Sequence, residues 1–314
     1  MKGLELAQRY YEERGRVLVA ERFEPYQDRI AAGLVGEGSE CFGFDDELSR
    51  DHDWGPGFCL WLTADDYAEI GAALEAGYAA MPRGCAGLER GPDDPRAGKR
   101  TGVFEITDFY RRFVRYDHVP ATLAEWRALP ETYLATATNG RVFADPLGEF
   151  SAFRAGLLAF YPEDLRRKKL AARCAVAGQS GQYNYRRSIA RGESVAAHCA
   201  LSTFVESVIS LIYLLNKRYR PFYKWMHRGM RDLPILGEHC HQALADLCAE
   251  ADGATGVSFA ERERIIEEIG ARIIAHLTVE GLSDSDSDFL LDHAYAVQAT
   301  IENQALRGLP VMME

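Results

Sequence analysis

With 314 residues, 47% of them hydrophobic and 26% charged, the chain is long enough for two cores and has the composition of a folded protein, not a disordered one. A net charge of −11 argues against general nucleic-acid binding, which needs a basic surface, and would weakly attract a cationic small molecule. The seven cysteines are scattered and form no C-x-x-C pair, no run approaches a membrane span, and the acidic start at Met1–Leu6 is no secretory leader, so a reduced, cytoplasmic protein is expected.

Residues 3–24 carry apolar positions at near-helical spacing and predict one or two helices. Residues 30–35 read as a short buried strand, followed by a turn at Gly38-Ser39 and an acidic loop that leads into a second apolar strand at 58–62. Asp51 and Asp53, one residue apart, are expected at the start of that second strand with their carboxylates on one face. Two like charges on one face call for a cation, and Mg²⁺ takes one or two carboxylates, water and substrate phosphate as ligands. Gly38 allows close backbone approach to a phosphate, to which Ser39 and nearby amides can donate. His52, between the two aspartates, points to the opposite face and reads as structural.

Thr63 is the expected cap of a helix that runs to Pro82, with a stripe of Tyr67, Ile70, Leu74 and Tyr78. Residues 82–100, rich in Gly, Pro, Arg and Asp, read as a long surface loop before a strand at 101–107 that Glu105 interrupts. By strand alternation, Asp108 is an alternative to Glu105, not its partner. Helical pieces at 122–129 and 131–138 stop at Asn139-Gly140, and a short strand at 141–148 closes in a turn formed by Asp145. A first domain of residues 1–155 is followed by an all-helical one, 156–314.

The helical half opens at Pro162-Glu163-Asp164 and reverses the local charge: residues 163–191 hold eight Lys or Arg against two acids. A second basic group, including Lys217 and Lys224, is interleaved with aromatics such as Tyr223, and the apolar helix between them, 200–215, is expected at the centre of a bundle. Further helices are expected at about 238–251, 258–280 and 285–306. Asp284–Asp288 is too irregular for a calcium loop, and His239-Cys240-His241 lacks distant partner ligands.

Gly38-Ser39, eleven intervening residues and Asp51-His52-Asp53 between two apolar strands resemble the active-site signature of the nucleotidyltransferase superfamily, which includes the kanamycin and lincosamide nucleotidyltransferases. The string Gly-Ser-Glu…Ser-Arg-Asp-His-Asp-Trp-Gly-Pro looks like a bacterial branch without an assigned substrate, and the likeness covers about residues 30–63. It implies an α+β chain with a mixed sheet and a helical bundle of the HEPN or kanamycin nucleotidyltransferase C-terminal kind. It also implies transfer of NMP, AMP from ATP in the first place, to a hydroxyl of a small-molecule acceptor with release of pyrophosphate. Asp51 and Asp53 would hold two Mg²⁺, with Glu105 as third ligand or base. Lys168, Lys169, Lys217 and Lys224 of the helical half would balance the triphosphate, with Tyr183 as a base or acceptor contact. A homodimer is left open. The competing readings are a HEPN-type ribonuclease or toxin–antitoxin protein using Arg191 and His198, and a nucleotide-binding module without catalysis.

Overall fold

The structure, a computed structural model, describes residues 1–50, 54–91, 98–249 and 257–314. Asp51, His52 and Asp53 therefore lie outside the described residues. The fold is α+β, a mixed sheet flanked by helices followed by a helical region. By contacts it divides into two compact units, Met1–Ala159 and Phe160–Glu314.

In the first unit, α1 (Gly3–Tyr10) passes through a π turn at Tyr11–Gly15 into α2 (Arg16–Arg22). Gly15 permits that irregular turn to lie on the core: a Cβ there would come 2.6 Å from the Phe58 ring. Strands β1 (Ala31–Leu34) and β2 (Cys59–Leu62) pair antiparallel, with Gly33 opposite Cys59 and Ala31 opposite Trp61. Next come α3 (Ala64–Ala79), the small hairpin of β3 (Gly84–Cys85) and β4 (Leu88–Glu89), and β5 (Gly102–Glu105), which lies parallel to β2. The chain continues through α4 (Ile106–Val114), α5 (Leu123–Arg127) and α6 (Glu131–Thr138) to β6 (Arg141–Ala144), antiparallel to β1, and ends the unit with α7 (Glu149–Leu158). The sheet order is β5-β2-β1-β6.

Every residue of β1 and β2 is buried because helices cover both faces of the sheet. On one face Ala32, Leu60, Leu62 and Val103 join Leu6, Leu18 and Leu74 of α1 to α3. On the other, the Trp61 indole stacks on Phe150 of α7 at 3.7 Å and meets Phe109 of α4 edge-on at 5.3 Å. Continuous apolar strands such as Cys-Leu-Trp-Leu suit this two-sided burial, in which each large side chain contributes about 1.5–3 kcal/mol.

The second unit holds α8 (Glu163–Ala177), a π turn at Gly178–Tyr185, α9 (Arg186–Ala190), α10 (Ser194–Leu215), α11 (Tyr223–Met230), α12 (Gly237–Cys248), α13 (Phe259–Val279), α14 (Leu290–Ala299) and α15 (Gln304–Arg307). Helix α10 is long and apolar enough by composition to cross a membrane, yet Leu211, Ile212 and Leu214 are core residues and the helix packs on α8. That is the pattern of the central helix of a helical bundle.

Several expectations need correction. The second strand begins at Cys59, one residue later than expected, and the placement of Asp51 and Asp53 lies outside the described residues. The stretch 82–100 contains the β3–β4 hairpin. The strand at 101–107 ends at Glu105 and α4 starts at Ile106, which puts Asp108 in the first turn of a helix, exposed and paired with Arg111. Asp284–Asp288 is not helical; the chain there is held by the buried His293, whose ring contacts Ser283 Oγ at 2.8 Å and the Ser287 carbonyl at 2.7 Å.

Candidate functional site

The end of β1 runs directly into the turn Gly36-Glu37-Gly38-Ser39. Gly36 and Gly38 have φ of +125° and +129°, values that L side chains avoid, so the turn requires its glycines. At Gly38 a Cβ would also strike the Arg100 guanidinium at 2.0 Å. The turn is held from two sides. Asn139 accepts from Gly36 N at 2.9 Å through Oδ1 and donates to Gly36 O at 2.8 Å through Nδ2, a side chain that acts like one step of a sheet ladder. Its neighbour Gly140 donates to Cys41 O at 2.7 Å. From the other side Arg100 donates to Glu37 O through Nε at 3.1 Å and Nη2 at 2.7 Å, and forms an ion pair with Glu40. Burial pushes the Glu40 carboxyl up from its ordinary value, and the Arg100 charge opposes that shift.

Asn139→Ala removes both bonds to Gly36 and leaves a partly buried N–H and C=O without these partners, so about 1–3 kcal/mol of stability should be lost. Urea denaturation measures it, and a midpoint equal to wild type would show that the clamp does not hold the turn.

A cavity of about 490 Å³ opens at the same edge of the sheet. Glu40 and Arg100 line it next to the glycine turn, Gly55, Pro56 and Gly57 from the approach to β2, and Lys99 and Thr101 from the approach to β5. Tyr78 of α3 supports this wall by accepting from Phe58 N at 3.1 Å, and burial raises its phenol to about 12. The β3–β4 hairpin and its flanks add Arg83 and Arg90, the latter fixed by a 2.7 Å bond from Nη1 to Thr101 Oγ1.

Glu105 lies elsewhere. The register sets Gly102 opposite Cys59 at the Gly38-Ser39 edge and Glu105 opposite Leu62, three residues or about 10 Å along the sheet. There its carboxylate caps α4, accepting from Thr107 N at 2.8 Å and Asp108 N at 2.6 Å, beside a second, more open pocket of about 510 Å³ that includes Thr63 and Glu149. The structure does not bring Glu105 to the glycine turn. Asp145 acts as a turn and cap residue, accepting from Ser151 N at 2.7 Å.

The expected nucleotide lysines lie in the second unit. Lys168 is fully buried, and its ammonium donates to Gln298 Oε1 at 2.6 Å and to the carbonyls of Pro310 and Val311 at 2.8 and 3.2 Å. Lys169 is buried 3.7 Å from Glu314 and lies over the Tyr161 ring. Lys217 is exposed 3.9 Å from Glu163, and Lys224 lies over Trp225. Tyr183 is exposed in the π turn, with the Arg187 guanidinium 4.8 Å above its ring. Arg191 and His198 are separated by the break at Gly192, φ +74°, between α9 and α10, so they do not share one helix face. Among the described residues no group of three or more His, Cys, Asp or Glu is arranged to hold a metal ion.

Asn139, Arg100, Glu40, Arg83 and Arg90 are the site residues that sequence reasoning missed. Only the adjacency of Glu40 to Gly38-Ser39 was a usable signal; the others come from distant stretches.

Residues 126–226 match the family described as a domain of unknown function, DUF4037. No curated protein matches the chain. Among solved structures it is similar to a nucleotidyltransferase-like protein from Exiguobacterium sibiricum 255-15, with 10% identity over 93% of this chain and 81% of that one. At a TM-score of 0.36 that likeness is too distant to argue from.

Proposed function

We propose that this chain transfers a nucleoside monophosphate, AMP from ATP in the first place, to a hydroxyl of a small-molecule acceptor and releases pyrophosphate. The observation that carries the reading is the two-glycine turn at Gly36–Ser39, braced by Asn139 and Arg100 at the cavity edge of the sheet and followed, after eleven intervening residues, by Asp51-x-Asp53. With the Gly36 amide engaged by Asn139, it is the backbone at Gly38-Ser39 whose missing Cβ suits close approach to a phosphate. Asp51 and Asp53 offer the hard oxygen donors that Mg²⁺ takes. When bound there, the metal would lower the acceptor hydroxyl's pKa and stabilise the departing pyrophosphate. The bracing contacts keep the turn in one shape, so that nucleotide binding meets little reorganisation. The reading assigns no chemistry to Glu105, whose carboxylate caps α4.

Labelled ATP, GTP, CTP and UTP, offered with Mg²⁺ over a library of hydroxyl acceptors and read by pyrophosphate release, test the proposal. Release that depends on both acceptor and Mg²⁺ is expected with at least one nucleotide. Release with none of them overturns it.

A further inference from the structure

The Asn139-Gly140 dipeptide that clamps the glycine turn is itself held from behind. Arg154 of α7 donates through Nη1 to Asn139 O at 2.5 Å and reaches Gly140 O through Nη2 at 3.5 Å. The other polar groups of the same dipeptide face the turn: Asn139 Oδ1 and Nδ2 on Gly36, and Gly140 N on Cys41 O. Gly140 fits only without a side chain, because its φ is +65° and a Cβ would strike Leu34 O of β1 at 1.9 Å. One guanidinium on α7 is thus joined, through two residues, to the turn that follows β1.

Arg154 sits there at an electrostatic cost. It is half-buried, and burial pulls its pKa below the ordinary arginine value. Among the described residues it has no carboxylate partner, and its hydrogen bonds go to the two carbonyls alone. What favours a charge at this point is the C-terminal end of α6, where Asn139 is the cap residue and the backbone carbonyls carry the negative end of the helix dipole. An apolar side chain of similar length would fill the same space without the desolvation cost, so packing does not account for the guanidinium. Its grip on two adjacent carbonyls does.

We infer that Arg154 is a positioning residue of the glycine turn, acting through the Asn139-Gly140 dipeptide and not by touching a ligand. Its link to nucleotide binding rests on the nucleotidyl-transfer reading, whereas its hold on the turn does not.

The test is amide hydrogen exchange of the full chain, followed by NMR at the Gly36 amide, whose partner is Asn139 Oδ1. Arg154→Met should speed that exchange about tenfold relative to the amides of β2. Arg154→Lys should fall between Arg154→Met and wild type, because an ammonium replaces the two-pronged fork only in part. Asn139→Ala should speed exchange at least as much, and Arg154→Met/Asn139→Ala should match Asn139→Ala to within about twofold, since the arginine then has nothing to act through at Gly36. Wild-type exchange at Gly36 in Arg154→Met, a rise shared equally by β2, or full additivity in the double variant overturns the inference. If Arg154→Met does not fold, Arg154→Lys and its combination with Asn139→Ala carry the same test. Where wild type transfers nucleotide, Arg154→Met should raise the nucleotide KM about tenfold with a smaller change in kcat, and Arg154→Lys should restore part of it. A loss in kcat alone overturns the link to nucleotide binding. Where wild type transfers nothing, the transfer reading fails and the exchange result still decides the role of Arg154.

Discussion

Asp51→Asn and Asp53→Asn should each lower nucleotide transfer by about a thousandfold at saturating Mg²⁺, equivalent to about 4 kcal/mol of transition-state stabilisation. Asparagine keeps the size and one oxygen of the carboxylate but loses the charge that a hard cation requires, so the loss should fall on kcat and on the Mg²⁺ concentration needed for half-maximal rate. The melting temperature should stay the same or rise, because two neighbouring like charges become one. The contrast is Glu105→Ala. Its carboxylate caps α4 through Thr107 N and Asp108 N, so its removal should cost about 0.5–2 kcal/mol of stability and only a small part of the rate. Steady-state pyrophosphate release with parallel thermal melts separates the two cases. Wild-type transfer by Asp51→Asn would remove the aspartate pair from the chemistry, and a thousandfold loss in a well-folded Glu105→Ala would return Glu105 to it.

Much of the fold was legible because its signals are local. The strand before the glycine turn, the Cys-Leu-Trp-Leu strand, the Thr63-capped helix and the helix stop at Asn139-Gly140 each follow from periodicity or cap chemistry within a few residues. The break at Gly192 and the apolar helix α10 were readable for the same reason. What failed was local in appearance and tertiary in cause. Glu105 looked like a carboxylate set into an apolar strand, yet the strand ends there and the side chain turns to serve the next helix. Lys168 and Lys169 were expected to balance a triphosphate, but tertiary packing buries them against acceptors more than a hundred residues away. Arg100 and Asn139 reach the glycine turn from 63 and 103 residues further along the chain, and no spacing rule joins position 36 to position 139. The basic part of the cavity wall was hidden by averaging: Arg83, Arg90, Lys99 and Arg100, four of the five basic residues within 83–100, vanish inside a chain of net charge −11.

Trp61→Ala should destabilise the first unit by about 3–5 kcal/mol, enough to unfold a marginal domain at physiological temperature. The indole is fully buried, stacked on Phe150, edge-on to Phe109 and seated over β1, where a Cβ on Gly33 would come 2.9 Å from its ring. Alanine would empty this space in a layer built from α4, α7 and the sheet, whose backbones are tied by hydrogen bonds and cannot collapse into it. Trp61→Phe makes the test specific. Among the described residues the buried Trp61 Nε1 has no hydrogen-bond partner, so phenylalanine keeps most of the stacking while shedding an unsatisfied donor, and should cost no more than about 1 kcal/mol. Gly33→Ala approaches the same contact from the other side: its methyl would lie 2.4 Å from Arg141 O as well as against the indole, and that carbonyl belongs to the adjoining strand. The double variant Gly33→Ala/Trp61→Ala should therefore recover little, because removing the ring leaves the backbone clash in place. Equilibrium urea denaturation of the four variants decides the matter. A Trp61→Ala loss below about 1 kcal/mol would mean that the central sheet does not depend on the layer that joins it to α4 and α7.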